Sequence, residues 1–216
     1  MRRRPFALVL SGPSGVGKST FVRPLLDAFA SMRFSVSATT RARREHEQDG
    51  REYHFLRVED FRKRQAAGEF LESAEVHGAW YGTLEAEVRA ALDSGHGILL
   101  DVDVQGGVNI KKRLPDEAVL VFLLPPSMQA LEERLRQRGT ESDETVRRRL
   151  AHAPEEIRRL DEYDYVVVND TVETASTHLT AICRAEAQRR SRLVTRSGSG
   201  AVVEEFLKET ARPFGS

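Results

Sequence analysis

Short runs of consecutive apolar residues alternate along this chain with longer segments whose apolar positions recur at helical spacing. Residues 6–10, Phe-Ala-Leu-Val-Leu, are apolar throughout. Strict alternation would mark a strand with one wet face, so an unbroken run predicts a strand buried on both faces. Residues 97–103 (Gly-Ile-Leu-Leu-Asp-Val-Asp) predict the clearest central strand, residues 118–124 the next, stopped by Pro125 and Pro126, and residues 165–168 a last one. Residues 34–38 and 52–56 read as shorter strands. Helices are predicted over 18–29, 58–67, 84–92, 127–138, 145–150, 155–162 and 172–192. Ser127 is placed to cap its helix, Glu59 and Asp60 favour a first turn, Gly68 favours a stop, and Pro154 belongs near a helix start. Strands that alternate with helices in this way give an α/β fold with a mainly parallel sheet flanked by helices.

Composition narrows the function classes. The 216 residues are 40% hydrophobic and 31% charged, which suits a folded globule. Lys plus Arg and Asp plus Glu each number 33, so the formal charge is zero and a chain-wide nucleic-acid surface is not expected. Cys183 is the single cysteine, which excludes an internal disulfide framework and a cysteine zinc cage and fits a reducing, cytoplasmic setting. No apolar run approaches the length of a membrane span, and the one after Arg2-Arg3-Arg4 is too short for a secretory leader. That arginine triplet reads as a solvated terminus. Of the cations, 28 are Arg and 5 are Lys. Genomic composition bias explains such a skew, and so does planar, bidentate recognition of anionic oxygens; position along the chain has to separate the two. The six histidines show no metal-ligand spacing.

Residues 12–19, Gly-Pro-Ser-Gly-Val-Gly-Lys-Ser, match the phosphate-loop pattern G-x-x-x-x-G-K-[ST], with a buried strand before it and a helix after it. Glycines let backbone N–H groups curl around phosphate oxygens without a Cβ in the way. The helix N-terminus adds its dipole. Lys18 supplies a point charge to the β- and γ-phosphates, and Ser19 a hydroxyl to Mg²⁺. A nucleoside triphosphate site is therefore expected from Gly12, Pro13, Ser14, Gly15, Val16, Gly17, Lys18, Ser19 and Thr20. The run Ile98-Leu99-Leu100-Asp101 has the apolar-then-Asp form that places a carboxylate near that metal, through water. With Asp103 two positions on, the strand period points both acids into one crevice.

Residues 35–83 carry an unusual collection for a plain loop region: Ser37, Arg41, Arg43, Arg44, Tyr53, Glu72, Tyr81 and Thr83. Together with the phosphate loop, the stretches SGPSGVGKST (11–20), FSVSATTR (34–41), EFLESAEVHGAWYGT (69–83), LLDVDVQG (99–106), FLLPPS (122–127), RLRQRGTESDE (134–144) and YDYVVVND (163–170) resemble the guanylate kinase family, over residues 6–190. The resemblance implies transfer of the γ-phosphoryl of ATP to GMP, with Mg²⁺. It implies that Ser37, Arg41, Arg44, Tyr53 and Tyr81 hold the acceptor phosphate. Glu72 and Asp103 would read the N1–H and N2 donors of guanine, with the Thr83 hydroxyl near O6; Asp101 is counted beside the acceptor as well as the metal. Adenine offers no N1 donor and would strand a buried carboxylate. Arg134, Arg138 and Arg149 would come from a helix and lid that close over the ATP phosphates, where they stabilise charge on the transferring group. Asn169, ending the last strand, is placed near ATP. Lys18, Arg41, Asp101, Arg138 and Arg149 are the expected catalytic residues. No general base is needed, because a GMP phosphate oxygen is already ionised. Arg136, Arg147 and Arg148 are expected in solvated ion pairs instead.

The implied organisation is a phosphate-loop core (1–34, 84–137, 156–194), a small mixed α/β acceptor lobe (35–83), a short helical lid (138–155) and a flexible tail (195–216). The expected partners are ATP and GMP, with no nucleic acid or membrane, in a monomer or small homo-oligomer. The family pattern TTRxPRxGE is altered here: Arg43 stands at the Pro position and Glu45 or His46 where Gly is common. Pro restricts φ, so its loss predicts a looser acceptor loop and a higher KM for GMP than a Pro version would have. Two alternatives are a catalytically silent guanylate-kinase-like binding module and a kinase for another acceptor. Intact Lys18, Ser19 and Asp101 weigh against the first; Glu72 and Asp103 weigh against the second. A regulatory GTPase is disfavoured because no N-K-x-D motif occurs.

Overall fold

A computed structural model describes residues 2–45, 47–76, 78–137 and 143–194. Strand β1 (Arg2–Arg3) precedes β2 (Ala7–Ser11), the predicted apolar strand, which is buried along its whole length. β2 lies at the centre of a five-stranded parallel sheet. Its partners are β8 (Gly97–Asp101) on one side and β9 (Ala118–Leu124) on the other, with β3 (Met32–Phe34) and β10 (Tyr165–Val168) at the edges. Parallel neighbours need crossovers, and the helices that make them cover both faces. Leu8 and Leu10 point to a core shared with Leu25 of α1 (Val22–Ala28) and with Ala175, Leu179 and Cys183 of α7 (Val172–Ala187). Ala7 and Val9 point the other way, onto Val88 and Ala91 of α3 (Glu85–Asp93) and Ile110 of α4 (Val104–Arg113).

A second sheet has the order β5-β4-β7-β6, built from β4 (Ala38–Thr39), β5 (His54–Phe55), β6 (Phe70–Val76) and β7 (Ala79–Leu84). Helix α2 (Val58–Ala66) covers it by stacking Phe61 on Phe70, ring centroids 4.4 Å apart, with Arg62 lying 3.9 Å over the Trp80 ring. Helices α5 (Met128–Gln137) and α6 (Asp143–Ile157) share a small core of Leu131, Leu135, Val146 and Ala153. β11 (Leu193–Val194) pairs antiparallel with β1.

Several elements differ from the sequence expectation. The predicted strand 34–38 is two strands in two sheets, because the chain leaves the central sheet at Phe34 and joins the second at Ala38. The hairpin β6–β7 and helix α4 carry no predicted counterpart. The first helix opens as a 3₁₀ turn at Lys18–Phe21, and α-geometry starts only at Val22. Pro24 has no N–H for the Thr20 carbonyl, so the α-turn cannot extend further back and Pro24 sits in the first turn instead. The two helices expected around Pro154 are one helix, α6, that runs through it and ends in a 3₁₀ turn at Arg158–Glu162. The hydrogen bond missing at Pro154 is outweighed by burial of Val146 and Ala153 on either turn. The helix expected to reach residue 192 ends at Ala187. The N-terminal arginines are not a free terminus: Arg2 and Arg3 pair with Val194 and Leu193, and Arg4 N–H donates to Arg192 O at 2.7 Å. Arg138, His46, His77, residues 139–142 and the tail 195–216 lie outside the described residues.

Candidate active site

At the C-terminal end of β2 the chain turns through residues 12–17 and enters the 3₁₀ turn that carries Lys18. Gly12 has φ 145°, and a Cβ there would lie 2.3 Å from the Leu123 carbonyl oxygen, so only glycine lets the loop pass this close to β9. The buried Asn169 amide donates to Val16 O at 2.7 Å. Arg134 donates to Val16 O at 3.3 Å and to Asn169 O at 2.8 Å. These two residues brace the back of the loop and line a cavity of about 320 Å³ together with Gly15, Gly17 and Thr20. Pro13 is buried beside it, while Ser19 and Thr20 are exposed. Lys18 Nζ donates to Gly12 O at 3.3 Å and lies 3.9 Å from an Asp101 carboxylate oxygen. From α6, Arg149 Nη1 donates to Ser14 Oγ at 2.8 Å, which docks the helix against the loop.

Beside the loop, a cleft of about 160 Å³ is lined by Lys18, Ser37, Tyr53, Glu72, Tyr81, Asp101 and Asp103. Its walls come from both sheets. Glu72 stands on β6 and Tyr81 on β7, Asp101 ends β8, and Asp103 caps α4. The capping Asp103 carboxylate accepts the Gly106 N–H at 2.6 Å. The strand stops at Asp101, so Asp103 reaches the cleft as an N-cap rather than by strand periodicity. Thr83 does not line the cleft: it is fully buried, and its hydroxyl donates to Glu72 Oε1 at 2.7 Å. Arg41 lies alongside, its guanidinium 5.5 Å from the Tyr53 ring and bidentate on Glu47, at 2.7 and 3.1 Å. Arg44 is exposed, and its backbone N–H donates to the same Glu47 carboxylate at 2.8 Å. A larger cavity of about 460 Å³, lined by Gly12, Ser14, Lys18, Asp103 and Arg149, opens directly onto this cleft through the shared Lys18 and Asp103.

The guanylate kinase family model matches residues 3–186. The chain belongs to the guanylate kinase family. It is 48% identical over 204 residues to the guanylate kinase of Symbiobacterium thermophilum, covering 94% of each chain. It is 49% identical over 209 residues to that of Anaeromyxobacter dehalogenans, covering 96% of this chain and 92% of the relative. Among solved structures, the crystal structure of guanylate kinase from Anaplasma phagocytophilum superposes with a TM-score of 0.79 at 32% identity, covering 100% of this chain and 99% of the other.

In this guanylate kinase family member, burial pushes the Glu72 carboxyl up to about 7, and the Asp103 charge adds to the shift while the Thr83 hydrogen bond opposes it. Burial, with Asp101 nearby, pushes the Tyr53 phenol up to about 12 and keeps it a proton donor. Hydrogen bonds from Arg41 hold Glu47 below the usual carboxylate range, and Glu47 in turn raises Arg41. Glu47 was not singled out from the sequence. Its signal was the final Glu of the family pattern TTRxPRxGE, which falls on Glu47. The same residue closes the loop that lacks the family proline: Glu47 N–H donates to Arg44 O at 3.1 Å, and Arg43 Nη1 donates to Glu47 O at 2.8 Å. Tyr163 is a second residue sequence reasoning passed over. Its hydroxyl donates to Val104 O at 3.0 Å and anchors the turn that bears Asp103. Arg136 pairs with Glu132 and Asp143, and Arg147 and Arg148 are exposed.

Among the described residues no three His, Cys, Asp or Glu side chains gather as a metal cage. The oxygen donors at hand are the exposed Ser19 hydroxyl and the Asp101 carboxylate, a set that fits Mg²⁺ arriving with a nucleotide and keeping waters of its own. No helix among the described residues is long and apolar enough to cross a membrane.

Proposed function

We propose that this chain transfers the γ-phosphoryl of Mg-ATP to GMP, giving ADP and GDP, with dGMP as a second acceptor. One observation carries the reading: the phosphate loop and a cleft bearing two carboxylates share Lys18 and Asp103, so a donor in one and an acceptor in the other meet at one lysine. Residues 12–20 cradle the triphosphate, with Arg134 and Asn169 stiffening the loop from behind. Ser37, Tyr53 and Tyr81 orient the GMP phosphate, with Arg41 and Arg44 supplying charge. Glu72 and Asp103 accept the guanine donors, which ties the reaction to guanine. A GMP phosphate oxygen attacks the γ-phosphorus, its bond to the β–γ bridging oxygen breaks, and ADP leaves with that oxygen's charge. Lys18, Arg41, Arg138 and Arg149 stabilise negative charge on the group in flight. When bound with the nucleotide, Mg²⁺ would be held by Ser19 and, through water, by Asp101, and would supply charge neutralisation on the triphosphate.

Residues 35–83 act as an acceptor lobe and the segment 138–155 as a lid, closing so that water does not take the phosphoryl group. The substrates and the lone thiol Cys183 suit the cytoplasm. The test is ADP release with Mg-ATP and GMP, dGMP, AMP, CMP, UMP or no acceptor, run beside Lys18→Ala. Release that needs GMP or dGMP and is lost in the variant supports the reading. Release without any acceptor, or with AMP as readily as GMP, overturns it.

A further inference from the structure

Helix α6 turns one face toward the phosphate loop. Arg149, His152 and Glu156 recur at helical spacing along it, and all three line the cavity of about 460 Å³ with Gly12, Ser14 and Lys18. Arg149 serves the loop directly, through Ser14 Oγ. Glu156 is the unexpected member, because a carboxylate stands where a triphosphate would bring more negative charge. It shares the cavity wall with Ser14 and Lys18, and the Ser14 backbone N–H and the Lys18 ammonium both favour its charged form. Both donors belong to the cradle that holds phosphate oxygens in a loop of this pattern.

We propose that Glu156 competes with the nucleotide phosphates: its carboxylate uses the Ser14 N–H and the Lys18 charge as an anion placeholder, and ATP binding displaces it. This inference rests on the ATP reading above. Two consequences follow from like charges sharing one set of donors. Glu156 occupies the loop's donors when no phosphate is on it, and it weakens phosphate binding as long as it is ionised. Burial lifts its carboxyl above the ordinary range, so falling pH neutralises it sooner than a solvated acid. The other charged groups facing this cavity are Lys18 on the loop, Asp103 at the start of α4, Glu75 on β6, Arg149, His152 and Glu155 on α6, and Arg159 on the 3₁₀ turn that follows it.

The experiment is ATP binding without GMP, by calorimetry on the full chain from pH 5 to pH 8, comparing wild type with Glu156→Gln. The variant is expected to bind ATP roughly three- to tenfold more tightly at pH 8. The gap should narrow as pH falls and the wild-type carboxyl takes up its proton. The ligand-free melting temperature of the variant should hold or rise at pH 8, because glutamine carries no charge to desolvate, and its further rise on adding ATP should exceed that of wild type. Glu156→Asp, which keeps the charge, should bind no more tightly than wild type. Glu59→Gln, an exposed acid on α2 that lines neither cavity, should bind within about twofold of it. Equal or weaker ATP binding by Glu156→Gln at every pH overturns the proposal. A wild-type protein that binds no ATP overturns the ATP reading instead.

Discussion

Glu72 sets stability against recognition, and Glu72→Gln separates the two. The carboxyl is buried, and its titration is pushed from the ordinary 4.5 to about 7, chiefly by loss of solvent. A raised folded-state value for an acid means that the folded protein holds its proton longer than the unfolded chain does. Stability from this group is therefore fully present below pH 4.5 and is lost as pH rises to about 7. The shift of about 2.5 units corresponds to about 3 kcal/mol, reached near pH 8 and under about 1 kcal/mol at pH 5. Glutamine keeps the shape and an oxygen for the Thr83 hydroxyl and carries no charge to desolvate.

The variant should accordingly melt higher than wild type at pH 8, by roughly 6–12 °C for a chain of this size, and by little at pH 5. It should lose GMP at the same time. A glutamine amide presents one acceptor and two donors to the guanine N1–H and N2 amine, so KM for GMP should rise by roughly a hundredfold while KM for ATP holds. Melting curves at the two pH values, with and without GMP, read both effects. A variant no more stable than wild type at pH 8, or stabilised equally at both pH values, would falsify the account of Glu72 as a buried charge kept for recognition.

The same titration predicts proton release. GMP favours the ionised carboxylate, so binding near pH 6.5 should expel a proton and affinity should climb with pH until about 7. Calorimetry in two buffers of different ionisation enthalpy counts that proton, and a count of zero would contradict it. Glu47→Gln should loosen Arg41 and raise KM for GMP by about tenfold with KM for ATP unchanged, since a charged fork loses its ionised partner; steady-state kinetics would show a parallel rise in both KM values if the residue were only structural. Arg43→Ala removes the tie to Glu47 O and should raise KM for GMP by about two- to fivefold at constant kcat, in line with one hydrogen bond. Gly107→Ala places a Cβ 2.6 Å from the Tyr163 hydroxyl and 2.7 Å from Ser11 Oγ, and should lower stability by about 1–3 kcal/mol in denaturant titration. An unchanged midpoint would mean that α4 can shift without strain.

What was legible in the chain was what is local. The phosphate loop is a contiguous pattern between a strand and a helix, and β2, β8 and β9 are unbroken apolar runs, so single-window rules find them. The residues proposed for the acceptor were assigned by resemblance, since Ser37, Tyr53, Glu72 and Tyr81 come from separate strands and turns of the second sheet and share a cleft with Asp101 only through the fold. The hairpin β6–β7 stayed hidden because its buried residues, Phe70, Leu71 and Glu72, are interrupted by a bulge between Phe70 and Glu72 and break the alternation a strand rule needs.

Helix α4 is the instructive case, because its residues argue against it locally. Gly106 and Gly107 are poor helix formers, together less favourable than two alanines by about 2 kcal/mol. Their reason is tertiary. A Cβ on Gly106 would lie 2.9 Å from the Glu72 carboxylate, and one on Gly107 would strike Tyr163 and Ser11. Bare backbone is what allows the helix N-terminus to lie against both sheets. Once there, the Asp103 cap is fixed, the Val104 carbonyl meets Tyr163, and Ser11 Oγ reaches the Asp103 carbonyl at 3.2 Å. The helix gives up propensity so that Asp103 and Glu72 can face one cleft. A rule that scores residues one at a time sees the loss and not what it permits. The same logic holds at Glu156, an ordinary acid on an amphipathic helix until α6 is laid across the phosphate loop. At Gly106 and Gly107 propensity and position disagree, and the disagreement falls beside the cleft that Glu72 and Asp103 line.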